Sequence, residues 1–167
     1  MRERHAAQDA RRAREFEAFV SGAAGRLLRA ATLLTAEDPR DNPHARRLLT
    51  SALAHTYACW DTSRGDDPYD RARQYLAARF AHGAWHHHRA LGRPRPLRPG
   101  ALARLSPQER LILVLRLYEG VAEEQVAALL GLSRERVRAI CDRAITTLLH
   151  PPRAPAARTV GAKVVPS

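Results

Sequence analysis

The residues whose types and spacing best suit a chemical task are Ser133, Arg134, Glu135, Arg136 and Arg138. A Ser directly before a helical run accepts a backbone N–H and starts the helix there. The next residues are then its first exposed positions. A guanidinium can fork onto a guanine edge or a phosphate, and a carboxylate such as Glu135 can accept from a cytosine amino group. The other constellations are weaker. His82 and His86 are spaced to share a helix face as two metal ligands, with His87 and His88 alongside. No third or fourth ligand lies near them, so a solvated, DNA-facing patch is expected and no metal site. Asp61, Asp66, Asp67 and Asp70 lie in or beside one loop and read as caps and turn formers. Nucleophile elbow, phosphate-cradling Gly loop and zinc signature are all missing from the sequence, so neither an enzyme nor a cofactor is expected.

The elements that present the arginines can be read upstream. Ser106, Pro107 and Glu109 form a capping box with Pro at the first helical position. The helix they start has Leu111, Ile112, Val114, Leu115 and Tyr118 as its buried face and ends at Gly120. A short helix over about Ala122 to Leu130 follows, with Glu123, Glu124 and Gln125 in its first turn, where carboxylates favour the dipole. Gly131 to Ser133 is a tight turn. The helix from Arg134 to Leu149 then faces Val137, Ile140, Cys141, Ala144, Ile145 and Leu148 inward. Two helices crossing through a Gly-containing turn form a helix-turn-helix, the unit that lays its second helix in a major groove. The module spans roughly Leu102 to Leu149.

The N-terminal stretch is helical too. Phe16, Phe19, Val20, Leu27, Leu28, Ala31 and Leu34 recur at helical spacing over a long first helix. Pro39, Asn42 and Pro43 mark a loop. A second helix from about His44 carries Leu48, Leu49, Ala52, Leu53, Thr56, Tyr57 and Trp60 on its apolar face. Pro68 opens a third, which runs towards Trp85. With no alternating apolar pattern anywhere, the fold class is all-α: two small helical domains joined by a short Pro/Arg-rich linker. We place the domains at 10–88 and 102–150, the linker at 89–101 and a disordered basic tail at 151–167. The linker offers few apolar side chains and can reach about 40 Å, so separable halves with a flexible joint are expected.

Composition narrows the partners. The formal net charge is +11 over 167 residues, and Lys163 is the only Lys. Such a surface attracts polyanions, with nucleic acid first among them. No apolar run is long enough to span a bilayer and no basic-then-apolar leader opens the chain, so no membrane association and a cytoplasmic location are expected. Cys59 and Cys141 lie far apart on apolar helical patterns, which suits reduced thiols.

The stretch from Leu102 to Leu149 resembles region 4 of the extracytoplasmic-function (ECF) sigma factors of bacterial RNA polymerase. Upstream, EFEAFVSGAAGRLLRAATLLT, the helix ending HTYACWD and the stretch DPYDRARQYLAARF resemble region 2 of the same family. The resemblance implies a dissociable initiation factor with promoter DNA and core RNA polymerase as partners, and it allows an anti-sigma factor as a third. It places Arg134, Arg136 and Arg138 on the recognition helix and Arg143 at a phosphate-facing position. It places Trp85 and Arg89 where the family captures single-stranded DNA, with Trp85 as a stacking residue. The family's second helix opens with an acidic, Gln-containing motif that contacts core polymerase. Here the corresponding positions are Arg46, Arg47, Thr50 and Ser51, a reversal of charge. Two alternatives therefore stand beside a working sigma factor: a sigma-like DNA-binding regulator that no longer docks on polymerase, and a decoy that occupies a sigma partner.

Overall fold

The structure, a computed structural model, describes residues 2–61, 65–90 and 100–150, with side chains over 6–61, 65–83 and 100–150. Six α-helices and no strand occur among the described residues: α1 (Arg2–Thr35), α2 (Pro43–Ala58), α3 (Pro68–Ala90), α4 (Pro107–Leu113), α5 (Glu123–Leu130) and α6 (Arg134–Leu149). A 3-10 turn (Ala101–Arg104) precedes α4, and a π-helical turn (Val114–Tyr118) continues it. The expected linker core at 91–99 and the tail at 151–167 lie outside the described residues.

In the N-terminal half, α1 buries Ala23, Leu27, Ala30, Ala31 and Leu34 along one stripe, against α2 and α3. The expected stripe holds in its second half. Phe16 and Phe19 are only half-buried, because they meet Tyr57 and Trp60 at the edge of α2, with ring centroids 4.8 to 5.5 Å apart. Arg12 lies over the Tyr57 ring, donates to the Tyr57 carbonyl and pairs with Asp61 at 3.1 Å.

The start of α2 is organised by a carboxylate from outside the helix. Asn42 stands at the N-cap but turns inward, its amide donating to Thr32 Oγ1 at 3.1 Å. Glu37 takes over the capping task, accepting from the amides of His44 (3.2 Å) and Ala45 (2.8 Å) and from the His44 ring. Burial alone would raise the Glu37 carboxyl, but these donors and the Thr35 hydroxyl outweigh it and bring it down to about 2. That is the usual effect of hydrogen bonds to an ionised carboxylate.

The C-terminal half opens as the sequence implies. Ser106 accepts from the Glu109 amide while Glu109 reaches back to the Ser106 amide at 2.9 Å, with Pro107 at the first position. One departure follows: α4 does not run on to Gly120 but widens into the π turn, where the Glu119 amide donates to Val114 at 2.9 Å. Glu119 is thereby buried while Leu117 is thrown outward. Gly131 closes α5 in the left-handed conformation (φ 63°), which a residue without Cβ adopts at no steric cost.

The halves do not stand apart. One continuous core joins Ala30, Leu34, Leu76 and Ala77 to Leu111, Ile112, Leu115 and the α6 residues Val137, Ile140 and Ala144. Both α1 and α3 touch α4 directly. The expectation of a freely flexible joint thus meets a packed contact, because α4 carries apolar surface onto α1 and α3.

Candidate nucleic-acid interface

The geometry of α6 follows from its cap and its period. Ser133 Oγ accepts from the Arg136 amide at 3.2 Å, which fixes the first turn. Val137, Ile140, Cys141 and Ala144 are buried against α4 and α5. At 100° per residue, that core line puts Arg134 and Arg138 on the flank next to α5. Arg136 and Arg143 fall on the opposite flank, and Glu135, Ala139 and Asp142 are outermost. All seven are exposed.

Three of the four arginines are held by carboxylates of neighbouring helices. Arg134 pairs with Glu124 at 2.9 Å, Arg138 with Glu123 at 2.8 Å, and Arg143 with Glu109 at 2.9 Å. Glu123 also faces Arg116 at 3.5 Å, and Arg116 donates to the Val121 carbonyl in the loop before α5. The pairing shows in the acids. Arg138 holds Glu123 below the ordinary carboxylate range, while the helix amide and then Arg134 do so for Glu124. Glu135 is held low by its own amide and the Ser133 hydroxyl. Among the described residues no carboxylate pairs with Arg136, so its whole fork faces solvent.

The expected site residues therefore fall into three groups. Ser133, Arg134, Glu135, Arg136, Arg138 and Arg143 come together on one exposed helix. Arg46, Arg47 and Thr50 form an exposed patch on α2 with Ser51 half-buried beside them, and Arg46 Nε donates to Asn42 at 2.9 Å. Trp85 and Arg89 fall on the last turns of α3, where the side chains lie outside the described residues, as do those of His86, His87 and His88. No group of three potential metal ligands occurs among the described residues.

Sequence reasoning missed the three glutamates as partners of the arginines, and with them Ala139 and Asp142 as outermost positions. The outermost positions were within reach of a helical-wheel count from Val137. The partnerships were not, since Glu109 and Arg143 are thirty-four residues apart and meet only through the packing of α4 on α6.

Residues 101–150 match the family Sigma-70, region 4. Over 156 aligned positions the chain is 33% identical to an RNA polymerase sigma-E factor of Streptomyces coelicolor, covering 80% of this chain and 84% of the relative. It is 32% identical to the sigma-E factor of Streptomyces avermitilis, covering 80% and 83%. Among solved structures it is similar to the sigma factor RpoE of Bartonella quintana, crystallised with the anti-sigma factor NepR. The TM-score is 0.61 at 19% identity, over 83% of this chain and 99% of that one. No described helix is long and apolar enough to cross a membrane.

Proposed function

This chain belongs to the extracytoplasmic-function group of the sigma-70 family and acts as an RNA polymerase sigma factor, and from that premise we propose how its own residues divide the work of promoter recognition. The observation that carries the reading is the α6 surface, a Ser-capped helix with four exposed arginines of which three are pre-positioned by glutamates. Arg138 has already committed Nε and Nη2, one edge of its fork, to Glu123. Its remaining donors suit single contacts to a phosphate better than a two-point grip on a guanine. Arg134 and Arg143 each commit a single donor, Nη1 to Glu124 and Nε to Glu109, and are assigned to phosphates as well. Arg136 keeps its fork free, so it is the base-reading guanidinium, with Glu135 beside it as an acceptor for a cytosine amino group.

The partners are promoter DNA and core RNA polymerase. The polymerase contact runs through the exposed α2 patch of Arg46, Arg47 and Thr50, with Ser51 at its edge. The reversed charge there calls for acids on the polymerase side, since like charges across an interface cost several kcal/mol. At the end of α3, Trp85 and Arg89 act on the opened strand, Trp85 by stacking. An anti-sigma factor, like the one bound to the Bartonella protein, would inhibit by covering either surface. The protein is a cytoplasmic DNA-binding regulator and not itself an enzyme. The domain limits 10–88 and 102–150 describe the region 2-like and region 4-like units of this reading.

The test is reconstitution with core polymerase. The chain should direct transcription from a promoter selected from a random-sequence pool, and core polymerase alone should not. Replacing Arg46 and Arg47 together by Glu and Asp should weaken docking if the partner surface is acidic. Tighter docking by that variant would reverse the α2 assignment, and failure of the wild type to bind polymerase would leave the regulator without docking as the better reading.

A further inference from the structure

Behind the arginines of α6 stands another, Arg116, on the π turn. Its side chain is 27% exposed against 62% for Arg138, which leaves it little surface to offer to DNA. The π turn grips the Val121 peptide from both sides. The Val121 amide donates to the Leu115 carbonyl at 2.9 Å, and the Val121 carbonyl accepts from Arg116 Nη1. Two residues on, Glu123 opens α5, and Arg116 Nη2 lies 3.5 Å from its Oε1. Glu123 in turn accepts from Arg138, Nε on Oε1 at 3.3 Å and Nη2 on Oε2 at 2.8 Å. A backbone carbonyl, an arginine, a carboxylate and a second arginine thus run in one line from the π turn to the recognition helix. Both arginines favour the ionised form of Glu123, Arg138 foremost.

The three acids that hold the α6 arginines differ in how they are themselves held. Glu109 is pinned by its capping box, through the Ser106 amide at 2.9 Å and the Ser106 hydroxyl at 2.8 Å. Glu124 stands largely in water. For Glu123, only 17% exposed, the second hold is Arg116. We propose that Arg116 is a positioning residue for promoter binding, which fixes Glu123 from behind so that Arg138 meets a promoter phosphate already ordered. An arginine on an open helix face samples many rotamers and loses them on binding, which costs affinity. A carboxylate that could itself swing would pass that freedom on to its partner. Arg116 removes it by tying Glu123 to the π turn and, through Val121, to the backbone. Its charge alone would not do this. As a nearby cation, Arg116 would attract any phosphate whatever Arg138 did, because Coulomb contributions add. A positioning effect vanishes once Arg138 is gone.

The inference rests on the reading of Arg138 as a phosphate contact, and a double-mutant cycle tests it. The full chain with core polymerase on the selected promoter duplex should bind about three- to tenfold more weakly when Arg116→Gln is made in the wild-type background. In the Arg138→Ala background the same change should cost at most about twofold. In the free chain, NMR relaxation of the Arg138 Nε–H should show greater mobility in Arg116→Gln than in wild type. Should Arg116→Gln fail to fold by circular dichroism, Arg116→Lys decides by the same cycle, with the same coupled loss expected. It keeps the cation but has one ammonium for two acceptors. Equal losses in the two backgrounds overturn the inference, because Arg116 would then act on its own account, as a cation or as a support of the loop. No loss in the wild-type background overturns it as well, and so does a coupled loss with unchanged Arg138 mobility. If the wild type binds no promoter with polymerase, the functional reading fails, while the mobility of Arg138 still decides whether Arg116 seats it.

Discussion

The buried carboxylates of this protein and Glu124 beside its recognition helix use the same chemistry to opposite effect. Glu37 and Glu119 have side chains 5% and 1% exposed, and their partners are backbone amides, a ring nitrogen, a hydroxyl and arginines converging from other segments. Glu124 and its partner Arg134 are 63% and 53% exposed. In the first setting, removing the partners strands a carboxylate out of water, which is costly. In the second, water replaces the partner at once, so the pair orients a side chain without holding the fold together. Burial, and not the kind of ion pair, separates what keeps the chain in shape from what it can lend to DNA.

The largest expected effect lies on the buried side, at Glu37. Its carboxyl falls from an ordinary value near 4.5 to about 2 in the folded protein. A depressed folded value means that the stabilisation is complete above pH 4.5 and is lost as pH falls towards 2. The shift corresponds to roughly 2–3 kcal/mol. Urea unfolding of wild type and Glu37→Gln should therefore differ by about that amount at pH 7 and converge near pH 2. A constant difference at all pH values would mean that the side chain acts through shape and not through its charge.

The difference between the two settings also explains what the sequence disclosed. Caps and turns are local, so Ser106 with Glu109, Pro68, Gly131 and Ser133 could be placed from neighbours in the chain, and with them all but the π turn of the helix-turn-helix. The inward stripe of α6 was legible for the same reason. Glu37 and Asn42 were not, because Asn42 has the residue type and position of a cap and only the packing of Thr32 shows that it turns inward. Glu119 gave no signal at all. It stands beside the helix-ending Gly120 and its partners lie at least 46 residues away in sequence, so only the docking of α4 on α1 and α3 makes it a contact.

A middle-sized effect should separate the arginines of α6 by their partners. Arg136→Ala should cost about 1–3 kcal/mol on the preferred duplex and relax one base position. Arg143→Ala should weaken all sequences alike and lower the salt slope by roughly one. Binding selections over randomised duplexes at two salt concentrations read both quantities. Relaxed specificity from Arg143→Ala, with uniform weakening from Arg136→Ala, would invert the assignment and show that intramolecular pairing does not set the division of labour.

The smallest effect is expected at Glu124, where the comparison is most exposed to failure. Glu124→Gln removes a negative charge from the edge of the DNA-reading surface and releases Arg134 from its 2.9 Å partner. Because both side chains are largely in water, thermal unfolding should be unchanged within error. Binding should respond in two opposing ways. Loss of the carboxylate lowers the repulsion felt by phosphates, which favours every duplex alike, whereas loss of the partner lets Arg134 sample more rotamers and adds an ordering cost on binding. The charge contribution is screened by salt and the ordering contribution is not. At low salt the variant should therefore bind any duplex on the order of twofold more tightly than wild type, with base preference unchanged. At high salt the order should reverse or vanish. If the variant instead loses base preference, Glu124 positions Arg134 for a base contact, and the exposed pairs of α6 carry specificity that the free fork of Arg136 was assigned alone.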